Sequence, residues 1–259
     1  MSLVESTVSE GVATVTLCDE ERRNALSRQL LNELVAAIDD IERDPGVRVA
    51  VVTNRGGVFC AGANLAERSA PAEGRGVELS ELFQRIKNSP KPFVGRISGH
   101  CVAGGVGLAA VMDVSVALES AMFGFTEVRV GVAPAMISVV CLPKMRLGDA
   151  QSAFLRANRF DGVEAARIGL INQAVAAEEL DVAVRAVVND LLAGEPTAIA
   201  AAKRLTVVVP TMSLGEAFAW TTEVSRNLFA SDEAREGMAA FLEKRPATWV
   251  RRLSGGDPA

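Results

Sequence analysis

The sequence has few of the residues that build metal sites. It contains one histidine, His100, and four cysteines that stand far apart and form no CxxC pair: Cys18, Cys60, Cys101 and Cys141. One histidine cannot complete a zinc cluster with cysteines so widely spaced. We therefore expect no metal site, and free thiols of the kind that are kept reduced in the cytoplasm.

Long apolar runs and clusters of one charge are also lacking. No window of about 18 consecutive residues is apolar throughout, so we expect no membrane-spanning helix. The first residues, MSLVESTVSEG, lack the apolar segment of a signal peptide. The 27 basic residues, against 32 acidic ones, form no stripe, which argues against a nucleic-acid surface. With 49% hydrophobic residues among 259, the chain can form a substantial core as one large domain or two small ones.

The front of the chain carries alternating strand and helix patterns. Residues 3–17 alternate at period two around a turn at Glu10-Gly11, which predicts two strands. Ser27 is placed to cap a helix whose apolar residues recur every three or four positions, and Pro45-Gly46 ends that helix. A buried strand over 47–53 completes a predicted β-β-α-β unit.

Two glycine-rich turns, at 56–63 and 99–107, each follow a strand, which is typical of stacked βαβ-type units. Residues 66–77 predict a loop. Between and after these segments the pattern predicts a helix, a strand, an apolar helix and a strand, at 79–88, 93–97, 108–112 and 114–118. After residue 148 the sequence predicts helices at 148–157, 162–168, 179–194, 196–208, 213–229 and 231–243. The expected fold is therefore α/β, with a core over 1–200 and a helical region over 201–259.

The second glycine-rich turn places Gly104 where a helix should begin. Helix N-termini carry backbone N–H groups without intrahelical partners, and small residues let a ligand approach them. Two such turns facing each other could direct two N–H groups at one oxygen atom, which is the geometry of an oxyanion hole. Two alternatives remain open. The glycines could make tight turns only, or Gly105 to Ala110, which fits GxGxxA, could bind a dinucleotide, although the expected acidic residue does not follow.

Glu127 lies in a largely apolar segment, Ala121 to Pro134. Burial there would raise the pKa of its carboxyl group, which suits proton transfer near neutral pH. The alternative is a surface glutamate paired with Arg129. The sequence pattern alone leaves both interpretations open.

Six segments, in order, resemble the crotonase (enoyl-CoA hydratase/isomerase) superfamily. They are RRNAL at 22–26, FCAGANL at 59–65, the glycine-rich segment 99–108, FGFTEVRVGVAP at 123–134, the segment 160–170 and EGMAAFLEKR at 236–245. The resemblance covers nearly the whole chain. It implies a crotonase-like spiral of ββα turns with a C-terminal helical trimerisation region, and assembly into a homotrimer or homohexamer.

The same resemblance implies an acyl-CoA thioester as substrate, with coenzyme A as part of the substrate and no separate cofactor. The backbone N–H groups of Ala63 and Gly104 would hold the thioester oxygen and stabilise an enolate, and Glu127 would transfer protons. The residues implied to contact the substrate or its coenzyme A are Arg23, Ala25, Ala61, Asn64, Leu65, Phe241 and Lys244. For Lys244 the alternative is a solvated surface lysine.

The chain departs from the family pattern at four places. Hydratases of the family typically use two glutamates around one water molecule, and the first would stand at position 107, which is glycine. Asn64 stands for the usual aspartate, Ala103 for a glycine, and residues 135–138 (AMIS) for a glycine run. Because Gly107 has no side chain, it cannot orient or deprotonate water.

Three functions fit this pattern. We favour an enoyl-CoA hydratase that adds water across the 2,3 double bond, because segment 126–138 resembles hydratases of branched or carboxylated enoyl-CoAs, such as methylglutaconyl-CoA hydratase. A Δ3-Δ2 enoyl-CoA isomerase is the first alternative, since it needs only one glutamate. A degenerate acyl-CoA-binding protein is the second, although the retained Glu127 speaks against it. His100 is most simply a structural residue.

Overall fold

The computed structural model describes residues 2–64, 67 and 76–254. Leu65 and most of the loop predicted at 66–77 lie outside the described residues. The described strands are β1 (Val4–Ser9), β2 (Val12–Leu17), β3 (Val49–Asn54), β4 (Val58–Cys60), β5 (Phe93–Ile97), β6 (His100–Val102), β7 (Val114–Leu118), β8 (Phe123–Gly124) and β9 (Gln173–Val175). The described helices are α1 (Arg28–Arg43), α2 (Leu79–Asn88), α3 (Gly104–Val111), α4 (Ala135–Cys141), α5 (Leu147–Arg156), α6 (Gly162–Arg167), α7 (Leu180–Ala193), α8 (Pro196–Val208), α9 (Leu214–Phe229) and α10 (Asp232–Leu242). The α/β class is as predicted.

The front of the chain forms the predicted β-β-α-β unit. β1 and β2 pair in antiparallel register, and Glu10 and Gly11, which both have positive φ, form the turn between them. Ser27 caps α1, because its hydroxyl oxygen accepts a hydrogen bond of 3.2 Å from the backbone N–H of Leu30. The apolar face of α1 is buried in the same core as β2 and β3, as its three- and four-residue spacing predicts.

A six-stranded sheet in the order β1-β2-β3-β5-β7-β9 forms the centre of the described residues. After the first hairpin every pair in this sheet is parallel. Successive residues of β3 face opposite sides: Ala50 and Val52 lie in the core that contains α1, whereas Val49 and Val51 pack with α7. Helices therefore cover both faces of the sheet, as a parallel sheet requires.

A second sheet, made of the short strands β4, β6 and β8, positions the candidate site. Within the described residues these strands pair in parallel in that order. Because the carboxyl ends of parallel strands lie at the same edge of a sheet, the turns that follow the three strands lie side by side. Those turns contain residues 61–64, 103–104 and 125–127.

Several elements differ from the sequence-based prediction. α3 begins at Gly104 rather than at residue 108, because Gly104 to Gly107 are buried and tight packing offsets the low helix propensity of glycine. α4 has no counterpart among the predicted helices. Its sequence, AMISVVC, is rich in β-branched residues, so packing against α3 decides its conformation. The strands β4, β6 and β8 are too short to leave a clear alternating pattern.

Helix α8 is fixed to the core through a buried lysine. Lys203 on α8 donates hydrogen bonds to the carbonyl oxygens of Ile86 (2.8 Å) and Lys91 (2.9 Å) and pairs with Asp113 (2.8 Å). α8 runs across the predicted boundary between 1–200 and 201–259, and that division stays a prediction. In the part of the chain that is described, no helix combines the length and the apolar character needed to cross a membrane.

Candidate active site

In the turn after β4, the backbone N–H group of Ala63 has no hydrogen-bond acceptor among the described residues. Ala63 forms a parallel bridge with Leu26, in which the N–H of Leu26 donates to the C=O of Gly62 (2.7 Å). The N–H of Asn64 donates in turn to the C=O of Leu26 (3.4 Å). Because these flanking groups make the bridge, the N–H of Ala63 points to the other side of the turn. Among the described residues it donates to no other group.

The turn after β6 places a second N–H group beside the first. Gly104 is the first residue of α3, so its N–H has no intrahelical partner. A Cβ atom placed on Gly104 would lie 3.6 Å from the nitrogen of Ala63, and one placed on Gly62 would lie 3.1 Å from the nitrogen of Gly104. The two backbone segments are therefore in contact. Their N–H groups can serve one oxyanion between the turns.

The contact between the two turns requires glycine. Gly62 has a φ of +88°, and a Cβ atom there would lie 2.8 Å from the carbonyl oxygen of Val102. A Cβ atom on Gly105 would overlap the carbonyl oxygen of Cys60. A side chain at either position would push the turns apart. These glycines therefore do more than form tight turns, because they also let two backbone segments approach each other closely.

Ala103 has a backbone conformation that favours glycine. Its φ is +48° and its ψ is −119°, and for a residue with a Cβ atom such a conformation costs about 1–3 kcal/mol. The N–H of Ala103 donates to the C=O of Gly124 (2.9 Å), which ties this turn to β8. The departure from the family pattern at this position therefore introduces strain next to Gly104 and leaves the turn in place.

The turn after β8 leads to Glu127, which begins a 3-10 helical turn over Glu127–Val130. Its Oε2 atom is buried and has no hydrogen-bond partner in the described part of the chain. Burial raises the pKa of this carboxyl group. Arg129 donates instead to the C=O of Ala157 (3.1 Å), so the interpretation of Glu127 as one half of a surface ion pair is wrong. The carboxyl group has the raised proton affinity that suits acid–base catalysis.

Position 107 is closed to any side chain. Gly107 is buried, and a Cβ atom there would lie 2.5 Å from Cγ2 of Ile137 and 2.9 Å from Cζ of Phe83. Carbon atoms from α4 and α2 therefore fill the space beside this residue. Neither Ile137 nor Phe83 was predicted to lie near the site. The signal in the sequence for Ile137 was its place in segment 135–138, where the chain departs from a glycine run.

Comparison with known proteins identifies the family. A sequence model described as "Enoyl-CoA hydratase/isomerase" matches residues 7–252. The chain belongs to this family. A Thermus thermophilus protein named "Putative enoyl-CoA hydratase" is 36% identical over 242 residues, which are 91% of this chain and 96% of the relative. The "Crotonyl-CoA hydratase" of Syntrophomonas wolfei is 29% identical over 249 residues, 94% of this chain and 96% of that protein.

A solved structure confirms the fold of the family. The crystal structure of an enoyl-CoA hydratase from Mycobacterium smegmatis matches with a TM-score of 0.89 at 28% identity, covering 95% of this chain and 98% of that one. The crotonase-like resemblance and the predicted fold class, including helices at the C-terminal end, are thereby confirmed.

Most of the residues that the family resemblance assigns to coenzyme A surround the first turn. The backbone C=O of Arg23 accepts a hydrogen bond of 3.1 Å from the N–H of Ala61, so this part of the chain lies directly against the turn that holds Ala63. The side-chain amide of Asn64 donates to the carboxylate of Glu67 (3.1 Å), which an aspartate at this position would repel. Four of the assigned residues are grouped in this way: Arg23, Ala25, Ala61 and Asn64. Leu65 lies outside the described residues.

Phe241 lies in the last turn of α10, and Lys244 follows that helix. Phe241 is 83% exposed. Glu243 pairs with Arg245 (2.6 Å), and Lys244 between them makes no ion pair within the described residues. No hydrogen bond or ion pair in that part of the chain joins either side chain to the three turns. Their contacts with coenzyme A stay predictions.

The histidine and the cysteines near the turns have structural surroundings. Nδ1 of His100 accepts a hydrogen bond of 3.0 Å from the backbone N–H of Met122, which agrees with a structural role. Cys60 and Cys101 are neighbours across β4 and β6, and burial raises the pKa of both thiols, that of Cys60 to about 12. Such thiols are poor nucleophiles. No cluster of three or more His, Cys, Asp or Glu side chains among the described residues is arranged to hold a metal ion.

Proposed function

We propose that this protein is an enoyl-CoA hydratase that adds water across the 2,3 double bond of an acyl-CoA thioester. The observation that carries the proposal is the pair of neighbouring N–H groups of Ala63 and Gly104, with Glu127 following the third strand of the same small sheet. Relatives support it by name, since they include a short-chain-enoyl-CoA hydratase and a crotonyl-CoA hydratase. Coenzyme A enters as part of the substrate, so the reaction requires no separate cofactor.

The two backbone N–H groups activate the substrate. When they bind the thioester oxygen, they draw electrons from the conjugated double bond, which makes C3 electrophilic and stabilises the enolate formed after attack. Removal of one such donor typically costs about 3 kcal/mol of transition-state stabilisation. Both donors belong to the main chain and are held by the contact between two turns, so they need no reorganisation during the reaction.

Glu127 carries the protons. As a carboxylate it accepts one proton from water while the water oxygen forms a bond to C3 and the π electrons move into the enolate. The protonated Glu127 then delivers a proton to C2, which neutralises the enolate and regenerates the carboxylate. Burial raises the pKa of Glu127 and so makes its carboxylate a stronger base, which suits the first step.

We extend the substrate class to branched or carboxylated enoyl-CoAs. The segment 126–138 resembles hydratases that act on such substrates, and Gly107 supplies no side chain to hold the attacking water. A carboxylate on the substrate itself would be a hydrogen-bond acceptor for that water molecule. For linear, branched and carboxylated substrates alike, the N–H groups of Ala63 and Gly104 would hold the thioester oxygen.

The lack of space for a side chain at position 107 also supports a second candidate, a Δ3-Δ2 enoyl-CoA isomerase. Such an enzyme removes a proton from C2 and delivers one to C4, through a dienolate that the same two N–H groups would stabilise, and it requires no water. One carboxylate is sufficient for this reaction, and Ile137 and Phe83 leave no room for another at position 107.

A substrate panel tests the proposal. Crotonyl-CoA and 3-methylglutaconyl-CoA are followed by loss of enoyl-thioester absorbance, and a 3-enoyl-CoA by gain of it. Hydration of either conjugated substrate supports the hydratase, whereas turnover of the 3-enoyl-CoA alone would establish the isomerase. If none of the three reacts while butyryl-CoA still binds, the catalytic proposal is wrong and the acyl-CoA-binding alternative stands.

We propose that the protein works as a homotrimer or homohexamer in the cytoplasm. Large apolar side chains are exposed on the last two helices: Leu214, Phe218, Phe229, Phe241 and Leu242. Exposed apolar patches of this kind mark interaction surfaces, and we assign this one to further copies of the chain. Size-exclusion chromatography with light scattering should give three or six times the chain mass of 27.3 kDa. A monomer mass at micromolar concentration would refute this assignment.

A further inference from the structure

Position 107 lies on the same face of α3 as Gly104, whose N–H group is one of the two proposed oxyanion donors. Gly104 and Gly107 are three residues apart on this helix, and residues at that spacing share a helix face. A side chain at 107 would therefore project on the same side as the N–H-bearing turn. That direction is blocked, because Cγ2 of Ile137, Cβ of Ile137 and Cζ of Phe83 all lie within 2.9 Å of where a Cβ atom would be.

The two blocking side chains have little freedom to move away. Ile137 and Phe83 are both almost fully buried in the main core. A β-branched side chain on a helix has one strongly preferred χ1 rotamer, so Ile137 cannot easily turn its Cγ2 elsewhere. Ile137 is also on the helix that directly follows the turn of Glu127, with only residues 131–134 between them. The blocking group and the proton-transferring group therefore belong to one continuous segment.

We propose that Ile137, supported by Phe83, is a specificity-determining residue that keeps a second acid–base side chain out of the catalytic site. This inference rests on the proposed function, because it places the reacting acyl group between the turn of Gly104 and Glu127. Its consequence is a site with one proton carrier facing carbon atoms. Hydration then proceeds without the help of a second carboxylate, whereas proton relocation within a substrate needs only one, so a carboxylate supplied at position 107 should raise hydration relative to isomerisation.

The packing claim is tested by an unfolding cycle that needs no substrate. The variants are Gly107→Ala, Ile137→Ala and the double variant, each compared with wild type by its urea midpoint. Gly107→Ala should lower the midpoint through overlap with Ile137, and Ile137→Ala should lower it by leaving a cavity. The double variant should be more stable than Gly107→Ala alone, since each change relieves the defect of the other. Additive losses would overturn the inference.

The catalytic claim is tested by supplying the excluded side chain together with space for it. Gly107→Glu combined with Ile137→Gly should raise the ratio of crotonyl-CoA hydration to 3-enoyl-CoA isomerisation by about tenfold or more, since a positioned acid–base group contributes at least that much. Gly107→Gln combined with Ile137→Gly is the matched control, because glutamine fills the same space as glutamate but carries no acid–base proton, and its ratio should stay at least about tenfold below that of the Glu-containing variant. Equal ratios in the two folded double variants would overturn the inference.

Failure of this inference can be distinguished from failure of the proposed function. If wild type turns over no enoyl-CoA, the hydratase proposal fails, while the unfolding cycle still reports whether Ile137 fills the space at position 107. If wild type is active and the cycle is additive, the proposed function stands and Ile137 is not the excluding residue. If the Glu-containing variant does not fold, the alanine cycle remains decisive.

Discussion

Glu127→Gln separates proton transfer from substrate binding. Glutamine keeps the size and shape of glutamate but can neither accept nor deliver a proton at neutral pH. The substitution breaks no ion pair, since Oε2 has no hydrogen-bond partner among the described residues and Arg129 binds elsewhere. Position 107 cannot contribute a substitute, because it has neither a side chain nor space for one. We therefore expect turnover to be lost while acyl-CoA binding persists.

The size of the loss follows from the use of one carboxylate for two steps. A positioned acid or base contributes about 10²–10⁴ in rate. Because Glu127 is proposed both to accept the proton of water and to protonate C2, its loss should lie at the upper end. We expect kcat to fall by about 10⁴, which corresponds to a barrier increase of about 5 kcal/mol. The Kd for butyryl-CoA should stay within about threefold of wild type, since both oxyanion donors are unchanged.

The assay compares three proteins under identical conditions. Wild type, Glu127→Gln and Glu178→Gln are measured for turnover of the best enoyl-CoA substrate and, by titration calorimetry, for butyryl-CoA binding. Glu178 is exposed in a 3-10 turn remote in sequence from the site, which makes it a matched control for the loss of one glutamate charge. A kcat for Glu127→Gln within about tenfold of wild type would refute the reasoning, since no positioned acid–base group contributes so little.

Although Glu127→Gln should lose activity, it should gain stability at neutral pH. Because burial raises the pKa of Glu127 in the folded protein, folding favours the protonated form. The contribution of this group to stability is fully present below the pKa of the unfolded chain and is lost as pH rises through the folded pKa. Glutamine cannot ionise, so Glu127→Gln should be more stable than wild type at pH 7. The difference should shrink toward pH 4, and a lower urea midpoint at pH 7 would contradict the assigned burial.

Three further substitutions test individual features of the site and core. Ala103→Gly should raise the free energy of unfolding by about 1 kcal/mol. The relief of a strained φ at this position outweighs the entropy that glycine adds to the unfolded chain. A urea midpoint below that of wild type would show that Ala103 is not strained. Gly62→Ala should abolish turnover and weaken butyryl-CoA binding by at least about tenfold. The added Cβ would lie 2.8 Å from the carbonyl oxygen of Val102 and would push the two N–H groups apart. An unchanged affinity in titration calorimetry would refute this prediction. Lys144→Met should flatten the pH dependence of stability. Burial lowers the pKa of Lys144 to about 8. The free energy of unfolding of the wild type should therefore rise by about 3 kcal/mol between pH 8 and pH 10.5. An equal rise in the variant, measured by urea unfolding, would contradict the assignment to Lys144.

Local sequence rules predicted most of the secondary structure. The hairpin about Glu10-Gly11, the cap at Ser27 and the C-terminal helices all depend on contacts within a few residues, and they lie where the sequence places them. The small sheet β4-β6-β8 could not be predicted in the same way. Its strands have two or three residues each, and they exist because segments far apart in the chain pair with one another.

The site was predictable where it depends on backbone and not where it depends on packing. Glycine at positions 62 and 104 signalled close backbone approach, and the resemblance pointed to Ala63 and Glu127. Ile137 carried no comparable signal, because a buried isoleucine is common and its contact with position 107 is set by the fold. The choice for Glu127 between a surface ion pair and a buried carboxyl group also depended on tertiary structure, namely on where the guanidinium of Arg129 binds.

The mechanism that we propose divides the chemistry between the main chain and one side chain, and this division predicts how variants behave. In it, binding of the thioester oxygen depends on two N–H groups, which a substitution can disturb only by moving the backbone, as at Gly62. Proton transfer depends in the same proposal on the carboxyl group of Glu127, which a substitution can remove without moving the backbone. Changes of the first kind should therefore affect kcat and KM together, whereas changes of the second kind should affect kcat alone. A carboxylate introduced at position 107, as in Gly107→Glu with Ile137→Gly, belongs to neither kind. It would leave thioester binding and the carboxyl group of Glu127 in place and change which reaction the site performs.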